Sequence, residues 1–223
     1  MFWTSEADMV TAFVNSVKSQ NDKSENNVIV FREADTSYGR PDVMVVEYDT
    51  TGFHRRNMSL SMISKSSFSP DCAYAMSYLS QREWTKFECL QKFLNCRKNN
   101  LHSVIDTLAM RNLIHIFKES VCARSFDENF ILRRVLVFEA KLSKWRDAIS
   151  QAERHLWFTG ASYVILPTER RTILDKASQE CAQRGVGLIS FSEDGSLVHL
   201  IDPPDMKIYN TYLSWLINEH VFQ

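Results

Sequence analysis

No apolar run in this chain of 223 residues approaches the ~20 residues that a bilayer-spanning helix needs, which excludes a transmembrane helix. The N-terminus, MFWTSEADMV, lacks a basic stretch followed by an apolar core, so no secretory signal peptide is expected and the cytoplasm is the expected compartment. CxxC spacing is missing, and Cys72, Cys89, Cys96, Cys122 and Cys181 are odd in number. Neither a disulfide framework nor a standard zinc site fits that pattern; buried reduced thiols do. There is no surplus of charge, the net value being −1. Nucleic-acid binders often carry a basic balance, so any such surface here must be a local cleft. The loop G-x-x-x-x-G-K-[ST], the elbow G-x-S-x-G and HExxH do not occur, which excludes P-loop ATP hydrolysis and the chemistries of the other two motifs. His102 and His115 lack partner spacing and read as core or surface histidines. Repeats and low-complexity tracts are missing too.

What remains is an ordinary globular composition, 44% hydrophobic and 24% charged, with 12% aromatics to build a sizeable core. The length suits one large domain or a domain with an inserted module. Residues 5–18 predict a helix capped by Ser5, with Met9, Phe13, Val14 and Val17 on one stripe. Two strands, 28–33 and 43–49, flank the turn-forming ADTSYGRP and predict an antiparallel hairpin. The Ser-rich stretch 50–69 has no assignable period. Residues 71–121 read as mainly helical, over 71–81, 85–99 and 101–119, the last running into an extended piece; a winged helix is one form this pattern allows. An α/β alternation then resumes. It comprises a strand at 135–141, a helix at 143–158 with Ser143 as cap and Gly160 at its end, and a strand at 162–167. A helix follows at 168–185, with Thr168 as cap and Gly185 past its end, then a strand at 186–191 and a possible edge strand at 196–201. A terminal helix is expected over 209–221. Without the helical stretch the order is α-β-β-β-α-β-α-β, whose crossovers have room for the helices that parallel strands require.

The residues with chemistry sit at strand ends. VLVFEAK, 135–141, is an apolar run that closes on a carboxylate and an ammonium two positions apart. Alternation places Glu139 and Lys141 on one side, and an interior strand rarely carries such a pair without a reason. By itself an ExK reads as a solvated pair on a half-exposed strand; its context says more. Upstream, GRPDVMVVEYD sets Asp42 at the entry to a Val-rich strand. Of the Pro-Asp pairs Pro41-Asp42, Pro70-Asp71 and Pro204-Asp205, only the first leads directly into such a strand. Glu47 and Asp49 alternate with, or lie beyond, its buried face. Downstream, the helix after VLVFEAK carries Gln151. Together these features resemble the PD-(D/E)xK nuclease superfamily, over roughly residues 1–49 and 133–201.

That resemblance implies a restriction-endonuclease-like α/β fold, a mixed central sheet flanked by helices, with a core of 1–49 and 133–223 and a helical insertion at 50–132. It implies Mg2+ or Mn2+ held by Asp42, Glu139 and the backbone carbonyl of Ala140, with Glu6 as an auxiliary ligand for which Asp8 competes. Hard oxygen donors suit these ions. Asp71 is the competing ligand if the insertion lies elsewhere. Lys141 would orient water or stabilise charge developing on phosphorus. Gln151 matches the glutamine of a QxxxY pattern, but the run here is Gln151-Ala-Glu-Arg-His155, with histidine in place of tyrosine. Lys144 and Arg146 open the same helix and are the expected phosphate contacts. The clusters His54-Arg55-Arg56, Arg97-Lys98, Arg133-Arg134 and Arg170-Arg171 read as solvated faces. The implied activity is metal-dependent endonucleolytic hydrolysis of DNA in a restriction, mobile-element or defence setting. The implied partners are a second copy of the chain or a targeting subunit. The alternatives are a nuclease-like module that binds nucleic acid or a protein without cutting, and a nuclease directed at RNA.

Overall fold

The protein is described by a computed structural model over residues 3–21, 27–36, 39–60, 67–204, 206–208 and 210–222. Its elements begin with α1 (Glu6–Asn21), β1 (Val28–Arg32), β2 (Val43–Tyr48), α2 (Thr50–Leu60) and α3 (Pro70–Leu79). Next come β3 (Thr85–Lys86), α4 (Phe87–Leu94), α5 (Lys98–Met110), β4 (Ile114–Phe117), β5 (Ser120–Ala123) and α6 (Phe126–Asn129). The chain continues through β6 (Leu132–Ala140), α7 (Trp145–His155), β7 (Ala161–Pro167), α8 (Arg171–Arg184), β8 (Gly187–Phe191), β9 (Leu197–Ile201) and α9 (Tyr212–His220). They form a mixed α/β fold of two compact units, Met1–Glu47 with Arg133–Ile208, and Tyr48–Leu132 with Tyr209–Gln223. The terminal stretch, expected in the first unit, belongs to the second. Among the described residues no helix is long and apolar enough to cross a membrane.

The first unit is built on a sheet of order β1-β2-β6-β7-β8-β9. β1 and β2 pair antiparallel, from Val28↔Glu47 to Arg32↔Val43. Glu33, at a left-handed φ of 47°, ends β1. Asp42, just before β2, meets the end of β6 at Ala140, while Glu47 near the other end of β2 lies 3.6 Å from Arg134 near the start of β6. These two contacts set β2 and β6 antiparallel. β6, β7 and β8 are parallel, linked by α7 and α8 as crossovers, and β9 returns antiparallel on β8 through a bulge. Every residue of β7 is buried, as befits a central parallel strand. Alternation along it sends Tyr163 and Ile165 to a cluster with Met9, Val10, Phe13 and Val14 of α1. Val164 and Leu166 join Ala148, Ile149 and Ala152 of α7 and Leu174, Ala177 and Cys181 of α8.

Helix ends differ from expectation in instructive ways. Ser5 does cap α1, its Oγ accepting from Asp8 N at 3.1 Å. α7 begins after Lys144, not Ser143, and ends at His155, well before Gly160, whose N–H is used by the Val135 carbonyl at 2.9 Å. α8 begins after Arg170; Thr168 Oγ1 bonds Ser190 Oγ at 3.1 Å. Gly185 ends α8 as expected, at φ 66°, where a Cβ would be strained.

The second unit packs α3, α4 and α5 against a small sheet of order β3-β5-β4. Ala73, Met76, Leu79, Leu90, Leu101, Ile105, Leu108 and Val121 form its core, with Trp215 of α9. The unassigned stretch contains α2; residues 61–66 lie outside those described. The single helix expected over 85–99 is instead β3, α4 and the first residues of α5, broken at Asn95 in the left-handed conformation, φ 47° and ψ 44°. The extended piece after α5 is the β4–β5 hairpin. Arg56, expected on a solvated face, is buried: Glu219 of α9 takes its Nη1 at 2.7 Å and Arg111 Nη1 at 3.0 Å. All five cysteines are free, but only Cys72 and Cys181 are buried, and Cys89 is exposed. Burial pushes the Cys181 thiol up to about 12. His102 and His115 are both exposed.

Candidate active site

The sheet brings together Asp42, Glu139 and Lys141, with Glu6 from the first turn of α1. Asp42 Oδ2 accepts from the Ala140 backbone N–H at 2.8 Å and from Lys141 Nζ at 3.2 Å. The same ammonium donates to the Ala140 carbonyl at 3.1 Å and lies 3.5 Å from Glu6 Oε2. Glu6 Oε1 in turn accepts from Leu142 N at 3.2 Å, fixing the start of α1 to the segment leaving β6. Asp8, the competitor of Glu6, is spent on capping: its Oδ2 takes the hydroxyls of Ser5 and Thr4. Those bonds hold its carboxyl below the usual range. Asp71, the competitor of Asp42, lies exposed in the first turn of α3, in the second unit.

Glu139 is 2% exposed and looks toward α7, where His155 Nε2 lies 3.0 Å from its Oε1. Burial raises its pKa; the His155 hydrogen bond opposes the rise, and the Asp42 charge adds to it. For Lys141, burial would lower the pKa, but the charge and hydrogen bond of Asp42, then Glu6 and Glu139, outweigh it and the net shift is upward. Glu139 and Lys141 therefore feel each other's charge, while their hydrogen bonds go to different partners. Lys141 follows the last residue of β6, where its flexible stem lets the ammonium turn to Asp42 and Glu6.

The other expected site residues are placed less decisively. Gln151 lies on α7 one turn before His155. Its Oε1 is buried without a hydrogen-bond partner among the described residues. Lys144 is exposed at the N-cap of α7. Arg146 lies over the Trp145 ring at 4.3 Å, with its Nε 3.8 Å from Glu180 of α8. Sequence reasoning gave no role to His155, although its place one helical turn after Gln151 marked the right face.

The donors around Lys141 test the fit of a divalent cation. Two carboxylates and a backbone carbonyl are hard oxygens, the kind Mg2+ and Mn2+ take. The donor set fits in kind, but its centre is held by the lysine ammonium. Among the described residues no group of three or more His, Cys, Asp or Glu side chains is gathered to hold a metal. A cation would be held by Asp42, Glu139 and the Ala140 carbonyl, where Lys141 Nζ contacts Asp42 and that carbonyl. Comparison with family models, with curated proteins and with solved structures finds no match.

Proposed function

We propose that the protein is a metal-dependent nuclease of the PD-(D/E)xK type, with a restriction-endonuclease-like core, that hydrolyses phosphodiester bonds in DNA. The observation that carries this reading is the meeting of Asp42, Glu139, Lys141 and the Ala140 carbonyl at one end of β2 and β6, where an antiparallel hairpin joins a parallel sheet. When bound, Mg2+ or Mn2+ supplies Lewis acidity toward the scissile phosphate and a more acidic water. Asp42 and Glu139 bring negative charge to hold the cation, and burial keeps Glu139 out of competition from bulk water. Lys141, whose ammonium reaches Asp42 and the Ala140 carbonyl, would stabilise charge that builds on the phosphoryl oxygens.

The second unit supports nucleic acid as the substrate. Its order α3-β3-α4-α5-β4-β5, with β5 between β3 and β4, is that of a winged helix. In it α5 takes the position of a groove-reading helix. The exposed face of α5 carries Lys98, Asn99, Asn100, His102 and Ser103, side chains able to bond phosphates and base edges. Lysine and arginine outnumber acids in this unit, although the whole chain is at −1.

Purified protein should cut DNA in Mg2+ or Mn2+ and not in EDTA, and Glu139→Ala should abolish cutting. Supercoiled, linear and single-stranded DNA beside matched RNA would give the substrate class. A second reading, a nucleic-acid-binding module that does not cut, is favoured by the ammonium at the centre of the donor set. DNA binding without cleavage in either metal would establish it and sink the nuclease.

A further inference from the structure

Resting on the metal-site reading above, the geometry points to His155 as a positioning residue: its imidazole holds the Glu139 carboxylate in the orientation from which that carboxylate serves the metal. Glu139 is too buried for bulk water to orient it, and His155 Nε2, at 3.0 Å, is its hydrogen-bond partner among the described residues. A carboxylate only accepts, so Nε2 carries the proton in this pair. Nδ1 is then a bare acceptor, and it has no partner among the described residues. Among the described residues the bond to Glu139 is thus the one side-chain hydrogen bond the imidazole makes.

The ring is clamped, as a positioning group must be. Phe158 meets it edge-on, with centroids 5.6 Å apart and planes at 79°. On another side lies Gly39, in the turn between β1 and β2, closed by reciprocal Thr36–Gly39 backbone bonds of 3.1 and 3.2 Å. A Cβ at Gly39 would stand 3.4 Å from His155 Cε1, and its φ of 126° already favours glycine. The His155 carbonyl accepts from Thr159 Oγ1 at 3.0 Å, fixing the end of α7. Gly39 stands three positions before Asp42, so the chain beside the imidazole runs on into the other acid.

The test is Mn2+ affinity of the full chain by titration calorimetry, beside thermal melting in EDTA. Removing a group that orients a ligating carboxylate typically weakens metal binding by about 10–100-fold. His155→Ala is expected to weaken Mn2+ by about tenfold or more on that scale. His155→Gln, whose amide nitrogen can donate from nearly the same place, should recover most of the affinity. Should His155→Ala not fold, His155→Leu fills the ring's volume without the donor and is read in the same way. A variant that melts lower but binds Mn2+ like wild type overturns the positioning role and leaves the nuclease reading standing. So does a glutamine variant as defective as alanine. Wild-type protein that binds no Mn2+ overturns the metal site and this role with it.

Discussion

In the proposed nuclease site Lys141 would be a competitor of the cation as well as a helper in the reaction. Its ammonium touches Asp42 and the Ala140 carbonyl and lies near Glu6. Lys141→Met removes the internal cation while keeping most of the stem's packing. The variant should bind Mn2+ more tightly than wild type, raise its melting temperature more on adding Mn2+, and lack the proposed DNA cleavage. Weaker Mn2+ binding in the variant would show that lysine supports the cation instead of displacing it. Glu139 gives a second test at this scale. Its pKa stands above the ordinary 4.5 through burial first, against the His155 bond. The folded state thus holds this proton more tightly than the unfolded chain does, so its contribution to stability is present at low pH and is lost as pH rises through the shifted value. Glu139→Gln, in EDTA, should therefore melt above wild type at neutral pH, with the gap closing as pH falls toward 4.5. A gap that does not change with pH would contradict the burial cause.

Individual elements show how local chemistry and tertiary context divide the work. The apolar stripe of α1, the hairpin alternation of β1 and β2, and the continuous apolar run of β7 are periodic signals, and the helix and strands form where they predict. Caps were less legible. Lys144 and Arg170 precede α7 and α8 without a side-chain cap bond, because packing of Trp145 and Leu174 into the sheet decides where those helices start. The break between α4 and α5 was hidden as well, since 85–99 has no glycine or proline. It rests on Asn95 in the left-handed region, its N–H on the carbonyls of Gln91 and Lys92. Forcing a Cβ residue without asparagine's local bonding there costs about 1–2 kcal/mol. Asn95→Ala should lower the urea midpoint accordingly, and Asn95→Gly should restore it. An unchanged midpoint in the alanine variant would mean that the break has another cause.

For the whole molecule, the decisive contact is one no local pattern announces. Glu219 near the chain's end is fully buried and shared by Arg56 and Arg111, with Asn218 Nδ2 also on its Oε1 at 3.0 Å. It ties α9 to α2 and to the end of α5. Glu219→Ala would leave two guanidinium groups buried without that counter-charge. Breaking such a pair costs about 3–5 kcal/mol, which calorimetric or denaturant unfolding would register. A loss below about 1 kcal/mol, the scale of exposed pairs, would show that water reaches the arginines.

The sequence alone determined the α/β alternation, the order of the main strands and the neighbourhood of Asp42, Glu139 and Lys141. The first two are written in short-range periodicity; the third was implied by the resemblance of GRPDVMVVEYD, VLVFEAK and Gln151 to a nuclease superfamily. Only the tertiary structure decided that α9 joins the helical unit, that Arg56 and Arg111 are interior, and that Glu6 rather than Asp8 faces Lys141. It alone turned His155 onto Glu139 and set a lysine ammonium among the oxygens. These facts depend on which surfaces meet across long stretches of chain, and on where buried charges find their partners. Neither has a period that a linear reading can detect.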